Sequence, residues 1–152
     1  MRIKLVCVGK LKEKYLKDAC SEYLKRISGF GRIEIIEVQD EKDDRHDSLS
    51  VEANRILKNI RGTDYVVSLE INGEMLSSEK LANKMSLLGV RGKSDITFII
   101  GGSMGLHESV SARADFKLSF SKMTFPHQLA RIILLEQIYR AYKINQGGSY
   151  HK

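Results

Sequence analysis

With 152 residues, 42% of them apolar and 29% charged, the chain has the size and composition of one domain that can bury a core. No apolar run approaches a membrane span, and the first residues alternate charged with apolar types unlike a signal peptide, so a cytoplasmic protein with no membrane partner is expected. Lys and Arg outnumber Asp and Glu by 25 to 19; the surplus sits at both ends, around an acidic middle, which favours a polyanionic partner met by both ends together or, more plainly, a solvated surface.

Met1 to Val8 alternates apolar and basic residues as a strand does, and Gly9 ends it. Leu11, Tyr15, Ala19, Tyr23 and Ile27 then recur four apart and, with Leu16, Cys20 and Leu24, predict a helix with one apolar stripe. Its far side carries Lys10, Lys14, Lys17 and Lys25, either a phosphate-facing ridge or ordinary solubilising charge. Gly29-Phe30-Gly31 turns the chain into a strand at Ile33 to Val38. Gln39 to Asp47 reads as solvated linker, because Asp40, Glu41, Asp43, Asp44 and Asp47 lack the ordered glycine and terminal glutamate of a calcium loop.

A helix is predicted over Ser48 to Arg61, stopped by Gly62, followed by a strand at Tyr65 to Leu69 and a turn at Glu70-Ile71-Asn72-Gly73. Ser77 or Ser78 caps the next helix, with Leu81, Met85 and Leu88 facing inward. Strands at Ile96 to Ile100 and Phe116 to Phe120 flank a short helix around Leu106 to Arg113, and Pro126 opens a last helix reaching about Asn145. Strand and helix alternate five times, the pattern of an α/β fold whose parallel sheet is covered on both faces.

The last helix is apolar round most of its circumference, from Leu129 to Ile144, with a narrow polar strip of Glu136, Arg140 and Lys143. One sheet face cannot cover so wide a surface, and the chain is too short for a large core, so a homodimer built on this helix is expected. Cys7 and Cys20 read as reduced core thiols. His46, His107, His127 and His151 have no zinc-type spacing, and no metal is expected.

Function is to be sought in the loops that leave the strands at Leu69, Ile100 and Phe120. Loops at the carboxyl ends of parallel strands form the binding crevice of open α/β sheets, and Gly101-Gly102-Ser103-Met104-Gly105 lets backbone approach a ligand closely. The dinucleotide and Walker glycine patterns are both absent. Three such loops suit an adenosine-like ligand held by main-chain groups, with Met123 and Phe125 over the base; alternatively the phenylalanines only pack the core and the glycines only turn the chain.

The strings Val8-Gly9-Lys10-Leu11-Lys12-Glu13-Lys14-Tyr15, Phe98-Ile99-Ile100-Gly101-Gly102-Ser103-Met104-Gly105-Leu106-His107 and Leu118-Ser119-Phe120-Ser121-Lys122-Met123-Thr124-Phe125-Pro126-His127-Gln128, with Tyr150-His151 near the end, resemble the RlmH family of SPOUT-class ribosomal RNA methyltransferases over essentially the full chain. The resemblance implies a single SPOUT domain over 1–152, with a trefoil-knotted α/β fold on a mainly parallel five- or six-stranded sheet, working as a homodimer. It implies S-adenosyl-L-methionine as cofactor and N3 of a pseudouridine, in a hairpin loop of 23S ribosomal RNA on the assembled ribosome, as methyl acceptor. The cofactor positions it implies are Leu69, Gly101, Phe120, Ser121, Lys122, Met123, Thr124 and Phe125, all present here. Candidates for handling the acceptor proton are His127, Arg140, Tyr150 and His151, with Glu136 orienting Arg140 one helical turn away. A non-catalytic ribosome-associated protein and a related transfer-RNA methyltransferase are the competing readings.

Overall fold

The computed structural model describes residues 1–41 and 47–147. His46 and most of the acidic linker lie outside the described residues, as do Tyr150 and His151. Among the described residues five strands and five helices alternate: β1 (Arg2–Val8), α1 (Lys14–Ser28), β2 (Arg32–Val38), α2 (Ser48–Leu57), β3 (Tyr65–Met75), α3 (Ser78–Val90), β4 (Asp95–Ile100), α4 (Glu108–Arg113), β5 (Phe116–Ser119) and α5 (His127–Asn145). The strands form one sheet in the order β2-β1-β4-β3-β5, every neighbouring pair parallel.

The side chains of a strand alternate between its faces, and here both faces are buried. Ile3, Leu5 and Cys7 of β1 join Ile96, Phe98 and Ile100 of β4 beneath α1, α3 and α5. Val6 and Val8 face the other way with Val66 and Ile99, under Ala53 and Ile56 of α2 and Val110 of α4. Each fully buried Leu, Ile or Phe contributes about 1.5–3 kcal/mol, so these two apolar layers hold the short helices in place more than helix propensity does. Ser77 caps α3, its hydroxyl accepting from the Lys80 amide at 3.1 Å.

Three sequence expectations change. Tyr15, placed on the inner stripe of the first helix, is 69% exposed, because α1 starts at Lys14 and turns Leu16, Cys20 and Ile27 inward. The second helix ends at Leu57 rather than Arg61. The turn expected after Leu69 is instead an interruption in one long strand: Leu69 and Glu74 both pair with Leu118, so residues 70–73 bulge out and β3 resumes to Met75. Gly73 permits this, since a Cβ there would lie 2.7 Å from the Lys117 backbone.

Helix α5, on which a homodimer was expected, lies between α1 and α3 above the sheet, and these neighbours cover much of its apolar circumference. Leu134, Leu135, Ile138 and Ala141 are buried within the protomer, while Ile132 and Ile133 are half-buried and Leu129 is exposed.

Candidate functional site

The bulge of β3, the loop after β4 and the loop after β5 meet at the carboxyl edge of the sheet around a cavity of about 730 Å³. They meet there because β3 is hydrogen-bonded on one side to β4 and on the other to β5, so three chain segments distant in sequence leave the sheet side by side.

The β4 loop folds back on itself. The Gly105 amide donates to the Gly102 carbonyl at 3.1 Å, and Gly105 takes a φ of 81°. The turn is so tight that a Cβ on Gly101 would sit 2.6 Å from the Gly105 carbonyl oxygen. The β5 loop is shaped by its serines: Ser119 Oγ donates to the Ser121 carbonyl at 3.0 Å, and Ser121 Oγ accepts from the Met123 amide at 3.0 Å. Pro126 then caps α5.

Of the residues expected at a cofactor site, Leu69, Gly101, Phe120, Ser121, Met123, Thr124 and Phe125 all line this cavity. Lys122 does not; it is exposed beside it. Met123 is 75% exposed, an apolar side chain at the mouth with little protein around it. His127 also lines the cavity, its Nε2 lying 3.7 Å from where a Cβ of Gly9 would stand. Arg140 is not part of this wall. It stands thirteen positions after His127 on one helix, ~20 Å along the axis at the usual rise, and its guanidinium is paired with Glu136 at 3.0 Å. Tyr150 and His151 lie outside the described residues.

Two residues that matter to the site escaped the sequence reading. Glu70, taken as part of a turn, also lines the cavity, and its two carboxylate oxygens accept from Ser68 Oγ at 2.6 Å and Ser111 Oγ at 2.7 Å. This carboxylate ties the bulge of β3 to α4, the helix that follows the β4 loop, and so links two segments whose loops line the cavity. Arg131, which the sequence analysis did not single out, is 3% exposed. It pairs with Glu37 at 2.7 Å and donates to the Gly9 carbonyl at 3.2 Å, one turn below His127. Lys12 N donates to Gln128 Oε1 at 2.9 Å alongside. The start of α5 is thereby anchored to the end of β1. A lone charge on the buried face of a helix was the available signal for Arg131; for Glu70 it was a carboxylate at a strand's carboxyl end.

Cys7 and Cys20 are free and buried. Burial pushes the Cys7 thiol up to about 12, against the opposing pull of Arg131, and raises that of Cys20 in the same way, so neither supplies a thiolate nucleophile near neutral pH. Among the described residues no group of three or more His, Cys, Asp or Glu side chains is placed to hold a metal, and no helix is long and apolar enough to cross a membrane.

Residues 1–151 match the family model described as "Predicted SPOUT methyltransferase". The chain belongs to the SPOUT methyltransferase family. Within that family, this SPOUT protein is 54% identical to the ribosomal RNA large subunit methyltransferase H of Clostridium novyi and 53% identical to that of Clostridium acetobutylicum, each alignment covering all of both chains. The corresponding protein of Bifidobacterium adolescentis is 54% identical over the same extent. Identity of this order over full length makes the chain a member of the methyltransferase H group. A solved structure described as "a probable methylase family protein" from Haemophilus influenzae superposes with a TM-score of 0.58 at 16% identity, over 99% of this chain and 70% of its own, and so shares the SPOUT fold.

Proposed function

We propose that this SPOUT protein is a cytoplasmic large-subunit ribosomal RNA methyltransferase that uses S-adenosyl-L-methionine to methylate N3 of a pseudouridine in a hairpin loop of 23S ribosomal RNA on the assembled ribosome. The carrying observation is the convergence of three loops on one cavity of about 730 Å³, within the range of small-ligand sites. The full-length relatives named as large-subunit ribosomal RNA methyltransferases support the reaction class. The trefoil-knotted path and the homodimer that the family implies belong to the same proposal.

The residues present suit the cofactor. A cradle in which even a Cβ at Gly101 would collide with backbone leaves main-chain groups to hold an adenosine, between the apolar side chains of Leu69, Leu106, Phe120 and Phe125. When bound, S-adenosyl-L-methionine supplies an already activated methyl group on sulfonium. The protein's work is then placement, which can contribute roughly 7–11 kcal/mol, and removal of a proton from a weakly nucleophilic imide nitrogen.

His127 is the described residue best situated for that proton. It lines the cavity from the first turn of α5, and its helix is held against Gly9 by Arg131. Arg140, ~20 Å along the same helix, reaches an acceptor only across an interface between two copies, where it would favour the anionic form of the base. Tyr150 and His151, outside the described residues, complete the candidate set. Unpaired RNA loops offer bases with free edges, which fits a hairpin-loop target.

Incubating the protein with labelled cofactor and, separately, assembled ribosomes or bulk transfer RNA tests the reading. Label on one large-subunit pseudouridine is the expected result. Label on transfer RNA would move the enzyme to a different substrate, and calorimetry showing no cofactor binding would leave only a ribosome-binding role.

A further inference from the structure

A second cavity, of about 520 Å³, opens at the opposite edge of the sheet, where the amino ends of β1, β2 and β4 lie side by side. Its wall is built from Arg2, Lys4, Arg32, Arg61, Asp64 and Asp95. Two of the carboxylates are already satisfied. Asp95 pairs with Arg2 at 2.7 Å, and the buried Asp64 accepts from the Arg61 amide at 2.9 Å and from Thr97 Oγ1 at 3.3 Å, with Lys4 Nζ at 3.6 Å. Lys4 is held further by the Asn59 carbonyl at 2.6 Å. The guanidinium groups of Arg32 and Arg61 make no ion pair among the described residues and are exposed on the rim.

The surroundings add to the same sign. Asn59, whose carbonyl receives Lys4, follows the exposed Lys58, and Ser94, whose carbonyl receives the Arg2 amide, follows the exposed Lys93. Glu34 is the one acidic rim residue of this cavity that is without a partner among the described residues. Internal pairing thus consumes Asp64 and Asp95 with Lys4 and Arg2 and leaves two planar, permanently charged donors, Arg32 and Arg61, against the single acid Glu34 around a concave surface, the chemistry that recognises phosphate oxygens.

We propose that this amino-edge cavity is a second RNA-contact surface, which seats backbone phosphates of the ribosomal RNA through Arg32 and Arg61. It lies ~20 Å from the methyl-transfer cavity, the length of a seven-residue strand, so it grips RNA away from the target base and positions rather than reacts. The inference rests on the RNA-methylating reading above only for which polyanion is bound.

The test compares wild-type protein with Arg32→Gln/Arg61→Gln, and with Glu34→Gln as a variant that raises the local charge. Binding to ribosomes is titrated across salt concentrations, and methyl transfer is measured in parallel. Loss of two phosphate contacts should flatten the slope of log K against log salt by about 1.4, with roughly ten-fold weaker binding at low salt. KM for ribosomes should rise with kcat and cofactor affinity unchanged, and Glu34→Gln should bind more tightly. An unchanged slope and KM in the double variant overturns the proposal. If wild-type protein binds ribosomes but transfers no methyl group, the enzymatic reading fails while the salt slopes still decide the role of the two arginines.

Discussion

Replacing Gly101 by alanine separates a loop that binds from a loop that merely turns. The added Cβ would stand 2.6 Å from the Gly105 carbonyl oxygen and 2.9 Å from both the Gly105 carbonyl carbon and Leu106 Cδ2, whereas ordinary contact begins at 3.4 Å. Two of these three atoms are backbone, so the strain is relieved only by moving the 101–105 loop by roughly 0.8 Å, the shortfall between 3.4 and 2.6 Å. Overpacking of this kind costs about 1–3 kcal/mol, which for a chain of this size lowers Tm by roughly 2–10 °C. The displaced loop is one wall of the cavity, and misplacement approaching 1 Å can cost a reaction on the order of a hundred-fold. Calorimetry with S-adenosyl-L-methionine should therefore show at least a ten-fold loss of affinity in a protein that still unfolds cooperatively. Gly62→Ala, where a Cβ meets nothing within 4 Å, is the matched control and should alter neither property. Full cofactor affinity in folded Gly101→Ala would refute the assignment of this loop to the donor.

His127→Gln should lower kcat for methyl transfer by roughly 10²–10⁴-fold with cofactor affinity within a factor of a few of wild type; equal kcat would remove His127 from proton handling. Arg131→Met loses the bond to the Gly9 carbonyl and strips Glu37 of its partner, but Glu37 is 34% exposed and can rehydrate, so the cost should be about 2 kcal/mol in urea unfolding. An unchanged urea midpoint would show that the pair carries no net stabilisation. Burial raises the Cys7 thiol from 9.0 to about 12 in the folded state, so above pH 9 the unfolded chain gives up its proton first and stability falls progressively until about pH 12. Cys7→Val should flatten that decline between pH 8 and 10.5 relative to wild type, and parallel curves would mean the thiol ionises alike in both states.

The periodicities that sequence reading relies on are local, and the elements they describe are all present. Alternation in Met1 to Val8 and the apolar runs at Ile96 to Ile100 and Phe116 to Phe120 report the two faces of strands, and Ser77 reports the cap of α3. Boundaries failed where a neighbour decided them. Residues 70–73 carry the composition of a turn, yet β3 continues past them because β5 offers a partner and Gly73 lets the two backbones touch. The wide apolar surface of α5 announced that it would be covered, but whether by α1 and α3 or by a second copy is a question of strand order, which no helical wheel contains.

The chain's own letters were sufficient for the alternation of strand and helix, for the three loops worth examining and, through long specific strings, for the family. They could decide this much because backbone propensity, capping and side-chain alternation act within a few residues. Only the tertiary structure set the order β2-β1-β4-β3-β5, and that order alone brings Leu69, Gly101 and Phe120 to one cavity, turns Arg131 inward onto Gly9 and Glu37, and leaves Arg32 and Arg61 unpaired together at the far edge. Such placements follow from which strands bury each other's apolar faces, a free energy summed over the whole core rather than over any segment.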